Sequence, residues 1–193
     1  MSLELVTIEE TLKPELLQKR AEDLQFPLTD AMRKLVDEMI QKFLEIKAAG
    51  LAACQVGYSV RMIVFHVTQN DLKIRLKAEK EIPITVLINP EYRPIEAEGK
   101  FEDWEGCFSV QRVMGKVSRY CRIHYWGFTP EGERVEGMAE GYLARLLQHE
   151  IDHVNGTLIT DVLRPECVQG SYAEMIPLLD KERAEYQRAC GIG

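Results

Sequence analysis

His149 and His153 stand four residues apart in the stretch LARLLQHEIDHVNG, residues 143–156, and Glu150 directly follows the first of them. On an α-helix, residues i and i+4 share a face with β-carbons about 5–6 Å apart, so both imidazoles can reach one metal ion. Glu150 then sits beside the pair rather than within it. From there its carboxylate can take a proton from a water that the ion has acidified. A lone histidine is more often a satisfied core or surface residue, but the H-E-x-x-H string has a recurring mechanical use in metal hydrolysis.

Two histidines are an incomplete centre, because a catalytic site of the zinc type has three protein ligands and one open position. Some zinc proteases carry a further His six residues on; here that position is Ile159, and Glu166 follows Pro165 after a strand-like stretch. Cys107, in WEGCFS, is the better candidate, since Gly106 permits a sharp backbone turn and a thiolate is a strong ligand. Cys121 alternates within a strand pattern and reads as core, whereas Cys167 and Cys190 lie near surface segments. Cys54 precedes Gln55 in a glycine-bounded loop. Five cysteines, an odd count without a compact framework, read as reduced thiols or metal ligands rather than as disulfides. His66 and His124 fall within strand patterns, which leaves no obvious fourth ligand for a closed structural zinc site.

The elements that must position these residues are partly legible. Residues 29–49 place Met32, Leu35, Val36, Met39, Ile40, Phe43, Leu44 and Ile46 at near-helical spacing after a Thr/Asp start, with Gly50 as the expected stop. Strand-like runs follow at 60–67, 84–89 and 120–128, with weaker ones at 92–98 and 133–138, punctuated by Gly and Pro. From Gly141 to Val154 the pattern is helical again, and Asn155-Gly156 predicts a left-handed cap just beyond His153. Residues 170–189 read as a terminal helix. Strands and helices do not alternate regularly, so the expected fold class is α+β with mixed, largely antiparallel sheets around a central helix that carries H-E-x-x-H. An amphipathic helix precedes that core and another helix follows it.

With 193 residues and 46% hydrophobic content the chain suits one sizeable core, and residues 1–193 are expected to form one domain. The formal charge is 24 − 31 = −7, with no Lys/Arg-rich run to neutralise phosphates, which argues against a nucleic-acid substrate. Its longest apolar stretches fall well short of the roughly 20 residues a membrane-spanning helix needs. The acidic N-terminus has neither a signal peptide's apolar centre nor a transit peptide's Arg/Ser-rich character, so the expected location is cytoplasmic.

Three stretches, GLAACQVG (50–57), EGCFS (105–109) and QHEIDH (148–153), resemble in order and separation the three signature motifs of the peptide deformylase family. The resemblance implies a bacterial, cytoplasmic hydrolase that removes the formyl group from N-terminal formyl-methionine of nascent polypeptides. It implies a mononuclear centre holding Fe2+, with Zn2+, Ni2+ or Co2+ as possible substitutes, on Cys107, His149 and His153. Glu150 becomes the general base, while the Gln55 side-chain amide and the Phe108 backbone N–H become donors to the formyl oxygen. Such donors suit the reaction, because hydrolysis builds negative charge on that oxygen. Four positions depart from the family's usual residues: Ala48 and Gln111 stand where Gly and Pro are common, Phe108 and Val154 where Leu is. None of them is a side-chain ligand, the base or the amide donor.

Tyr142 and Leu146 precede His149 by seven and three residues and share its helical face, so they can wall a methionine pocket, ordinary core packing being the alternative. By analogy, Gly50 and Leu51 complete that pocket. Two other readings keep the same residues: a metal-dependent amidase or aminopeptidase with another acyl preference, and a non-catalytic metal- or peptide-binding homologue. The expected partners are formyl-methionyl nascent peptides and, through the C-terminal segment, a transient ribosome contact; no membrane or direct nucleic-acid substrate is expected.

Overall fold

A computed structural model of the chain describes residues 3–190. The surface position expected for the Cys190 side chain lies outside the described residues. In chain order the helices are α1 Glu15–Gln18, α2 Asp30–Glu45, α3 Gln69–Ile74, α4 Gly141–Val154, α5 Ile159–Val162 and α6 Tyr172–Cys190. The strands are β1 Gly50–Ala52, β2 Met62–Val67, β3 Ile82–Pro94, β4 Lys100–Cys107, β5 Val110–Tyr120, β6 Arg122–Phe128, β7 Arg134–Glu140 and β8 Gln169–Gly170. One sheet runs β1-β2-β3-β6-β7 and a second runs β4-β5-β8. Every named strand pair is antiparallel, and the one parallel contact among the described residues is the isolated bridge Glu22↔Val60.

The five-stranded sheet is buried on both faces near its β1 edge, and the alternation of β2 shows how. Met62 and Val64 join Leu35, Met39 and Phe43 of α2, whereas Ile63, Phe65 and Val67 join Ala144, Leu147, Ile151 and Val154 of α4. The α4 set, at spacings of three, four and three, is one helical stripe; burying such a side chain stabilises the fold by about 1.5–3 kcal/mol. Its opposite face carries Arg145, His149 and Asp152 towards the β4-β5 hairpin. A helix apolar on one side and polar on the other therefore lies between the two sheets, with the histidines on the hairpin side.

Both ends of α4 are fixed. Gly141 opens it at φ +55, and a Cβ there would run into the Lys77 backbone. At the other end Gly156 is left-handed (φ +78) and its N–H donates to His153 O at 3.1 Å, the cap that Asn155-Gly156 predicts. The buried Arg61 side chain donates to Val154 O (3.1 Å) and Asn155 Oδ1 (2.6 Å) there, and pairs with Glu91 at 2.8 Å. A cation at a helix C-terminus complements the unpaired carbonyls.

Several expected boundaries differ. Helix α2 ends at Glu45 with a left-handed Lys47 (φ 52) and an Ala48 N–H to Phe43 O bond, so Gly50 is not its stop but the first residue of β1. The runs at 84–89 and 92–98 merge into β3, which bends at a register shift between Ile88 and Glu91; residues 96–98 form a 3-10 turn. The β4-β5 hairpin is not among the expected strands: the turn expected near Gly106 falls at Phe108-Ser109, Gly106 lies within β4, and Cys107 ends that strand.

Candidate active site

Helix α4 and the tip of the β4-β5 hairpin bring Cys107, His149 and His153 together. Their donor atoms all lie within 4.8 Å of one another, and Cys107 Sγ is 3.2 Å from His153 Nε2. Ligand atoms around a tetrahedral ion are roughly 3.3–3.8 Å apart, given bonds near 2.0–2.3 Å. The donor set therefore fits one divalent ion of the zinc or iron kind, with imidazole and thiolate supplied and a further position left to the cavity.

Electrostatics around the trio favour the same conclusion. Burial opposes a charged thiolate, yet His153 and then His149 bring the Cys107 thiol from 9.0 down to about 5. Burial also opposes charge on His149, but hydrogen bonding to Cys107 and Glu105 raises it well above 6.5. A metal binds the thiolate and the neutral imidazoles, so its binding displaces the protons that these groups carry.

Glu105, in the same EGCFS motif, is a supporting residue that sequence reasoning missed. It and Cys107 lie on the same side of β4, across an irregular step at Gly106. Its carboxylate accepts from His149 Nδ1 at 3.0 Å, from Arg119 Nε and Nη2 at 3.0 Å each, and from Arg145 Nη1 at 2.6 Å. Burial opposes its ionisation, but Arg119 and then His149 hold the carboxyl far below the usual carboxylate range. An ionised carboxylate only accepts, so Nδ1 carries the ring proton and Nε2 is left for a metal. Arg119 also pairs closely with Asp152 of α4, and Arg145 donates to Val117 O (2.8 Å) and Phe101 O (2.7 Å). Helix and hairpin are thereby locked in register.

Glu150 is buried beside the trio, and its Oε2 has no hydrogen-bond partner among the described residues. Burial raises its carboxyl above the ordinary range, against the pull of His149 and His153. The carboxyl lies against Gly50, where a Cβ would fall on it. Gln55, also buried, accepts the Ala52 N–H at Oε1 (2.8 Å), which turns its NH2 group to within 3.7 Å of Cys107 Sγ. Phe108 is 43% exposed at the hairpin tip.

A cavity of about 690 Å³ opens over this group, and Gly50, Gln55, Cys107, Phe108, Tyr142, Leu146, His149 and Glu150 all line it. Ala48 and Gln111, two of the atypical positions, line it as well. Leu51 does not. Side chains alternate along β1, so with Gly50 facing Glu150 the Leu51 side chain points the other way, fully buried in the core beneath α2. His153 lies below the cavity floor, 1% exposed.

An α+β frame holding a Cys/His/His donor set, an uncommitted buried carboxylate and a peptide-sized cavity has the form of a metal-dependent amide hydrolase. The family model described as polypeptide deformylase matches residues 4–169. Peptide deformylase 2 of Rickettsia conorii is 40% identical over 161 residues, which cover 81% of this chain and 79% of that protein. Among solved structures, peptide deformylase from Thermotoga maritima superposes with a TM-score of 0.71 at 31% identity, covering 86% of this chain and 99% of that one. The Met-Ala-Ser-bound class I type b peptide deformylase from Acinetobacter baumannii gives 0.70 at 28% identity, with 84% and 100% covered. The chain belongs to the peptide deformylase family. Members are metal-dependent hydrolases that deformylate nascent peptides.

Proposed function

We propose that the chain, as one domain, hydrolyses the formamide of N-terminal formyl-methionine at the centre formed by Cys107, His149 and His153. The observation that carries this reading is Glu150 Oε2, without a hydrogen-bond partner among the described residues, beside three donors that converge at the cavity floor, two lining it and His153 just beneath. When bound, the metal would polarise the formyl carbonyl and acidify water. Glu150 removes the proton of the attacking water as its oxygen adds to the formyl carbon. The same residue then protonates the departing amine as the C–N bond breaks and formate leaves. The Gln55 amide, fixed by the Ala52 N–H, and the Phe108 N–H donate to the carbonyl oxygen as its negative charge grows. Tyr142 and Leu146 wall the methionine side chain, and the Gly50 backbone borders it. The Met-Ala-Ser ligand of the Acinetobacter relative is the kind of peptide such a cavity takes.

The proposed ion is Fe2+, with Zn2+, Ni2+ or Co2+ as working substitutes, since a mixed thiolate and imidazole set accepts all four. Among the described residues no helix is long and apolar enough to cross a membrane, which is consistent with work in the bacterial cytoplasm on chains leaving the ribosome. Any ribosome contact through α6 would use its outer side, because Trp104 and Lys116 already hold its Glu182. The test is acyl discrimination. Metal-loaded protein should release formate from formyl-Met-Ala-Ser and leave acetyl-Met-Ala-Ser and Met-Ala-Ser intact. Comparable turnover of the acetyl or free-amine peptide would favour the broader amidase or aminopeptidase reading.

A further inference from the structure

The family match ends at Gln169, and α6 begins three residues later at Tyr172, yet the Tyr172 side chain reaches the metal-ligand strand. Its hydroxyl accepts the Cys107 N–H at 2.9 Å and donates to Cys107 O at 3.3 Å. A hydroxyl has one proton and two lone pairs, so one phenol can serve both backbone groups of that residue. Cys107 C=O and Phe108 N–H belong to the same rigid peptide plane. Whatever orients that carbonyl also aims that N–H.

The surroundings are built for this contact. A Cβ on Gly106 would come 2.6 Å from Tyr172 Oη and 3.1 Å from a ring carbon, so only glycine lets the phenol lie this close to β4. The first turn of α6 is set by a reciprocal Ser171/Glu174 pair, in which Ser171 N–H donates to Glu174 Oε2 (3.0 Å) and Glu174 N–H to Ser171 Oγ (3.4 Å). Ten residues beyond Tyr172, Glu182 accepts from Trp104 Nε1 (2.8 Å) and pairs with Lys116 (2.9 Å), which pins the helix along the hairpin. Ile176, Leu179 and Arg183 of α6 continue the cavity wall from Tyr172.

We infer that Tyr172 is a positioning residue for the reaction: its hydroxyl sets the Cys107 thiolate towards the ion and the Phe108 N–H towards the substrate oxygen, making α6 part of the working site. The inference rests on the deformylase reading for Phe108, and on the donor set alone for Cys107.

The test compares full-length wild type with Tyr172→Phe, which keeps the ring and removes only the hydroxyl, both loaded with cobalt. The expected result is a shifted cobalt–thiolate absorption band together with kcat for formyl-Met-Ala-Ser lowered by about tenfold and KM within about twofold, as for a weakened transition-state donor. Gly106→Ala, which displaces the phenol from the other side, should move the band the same way and serves if Tyr172→Phe folds poorly. An unchanged band with unchanged kcat, or a lowered melting temperature as the only effect, overturns the inference. If wild type itself released no formate, the functional reading would fail, while the band would still decide the Tyr172–Cys107 link.

Discussion

His149 Nδ1 and Glu105 Oε2 lie 3.0 Å apart, and through that bond a buried carboxylate on a hairpin strand directs a ring on the central helix towards Cys107. The same carboxylate pairs with Arg119 and Arg145, so orientation of the site and cohesion of the fold depend on one side chain.

Glu105→Gln should show both consequences. Arg145 loses its ion-pair partner and Arg119 keeps only Asp152, which destabilises by about 3–5 kcal/mol, the range for breaking buried pairs. Replacing the carboxylate behind His149 by a neutral amide oxygen, a weaker acceptor without charge, weakens metal binding by about 10-fold. Denaturant unfolding and zinc competition titration measure the two effects; wild-type metal affinity would contradict the orienting role.

Cys107 supplies a pH dependence. Its folded value, about 5, lies below the unfolded 9.0, so this ionisation stabilises the metal-free fold fully above pH 9 and progressively less below it. The contribution is gone below about pH 5. Thiolate ultraviolet absorbance of metal-free protein, with Cys107→Ser subtracted, should persist at neutral pH and disappear with a midpoint near 5. Disappearance near 9 would show that His149 and His153 do not stabilise the anion.

Gly50→Ala is expected to separate metal binding from turnover. The added methyl falls on the Glu150 carboxyl and displaces it, while the three metal donors stay in place. A misplaced catalytic group lowers kcat by about 100-fold. Metal content should match wild type, and near-wild-type kcat would indicate that Glu150 has room to move without consequence.

Arg61→Ala acts at the far end of α4. The fully buried guanidinium holds Val154 O, Asn155, Pro90 O, Glu91 and Asp23, of which the two carboxylates keep access to water. Its removal should destabilise by about 2–3 kcal/mol, less than for a fully buried pair. Metal stoichiometry at low temperature should not change.

How much of this was legible depended on whether a signal was local. Spacing alone set His149, Glu150 and His153 on one stretch of helix, and the Asn155-Gly156 cap followed from residue type. The β4-β5 hairpin was not visible, because Asp103, Glu105 and Arg119 occupy buried positions where alternation calls for apolar residues. Glu105 and Arg119 pair across the hairpin and with Arg145 of α4, while the Asp103 carboxyl accepts the Trp104 N–H, contacts of the folded chain that period counting does not register. Glu105 had a readable clue in its position two residues before Cys107 on a strand, but only once the strand was known. Leu51 was misplaced for a local reason: period two in β1 puts it opposite Gly50. The approach of Gln55 to Cys107, 52 residues apart, is implied by the three-motif resemblance and not by spacing, whereas that of Tyr172 to the same cysteine emerges only from the folded chain.

The central claim is that Glu150 moves the proton in formamide hydrolysis at the Cys107/His149/His153 centre. The most direct measurement is formate release from formyl-Met-Ala-Ser by wild type and Glu150→Gln at equal, measured metal content. The account predicts release by wild type and a loss of at least about 100-fold in the variant, within the range general acid–base groups supply. Equal rates in the two proteins, or no formate from fully metal-loaded wild type, would contradict it.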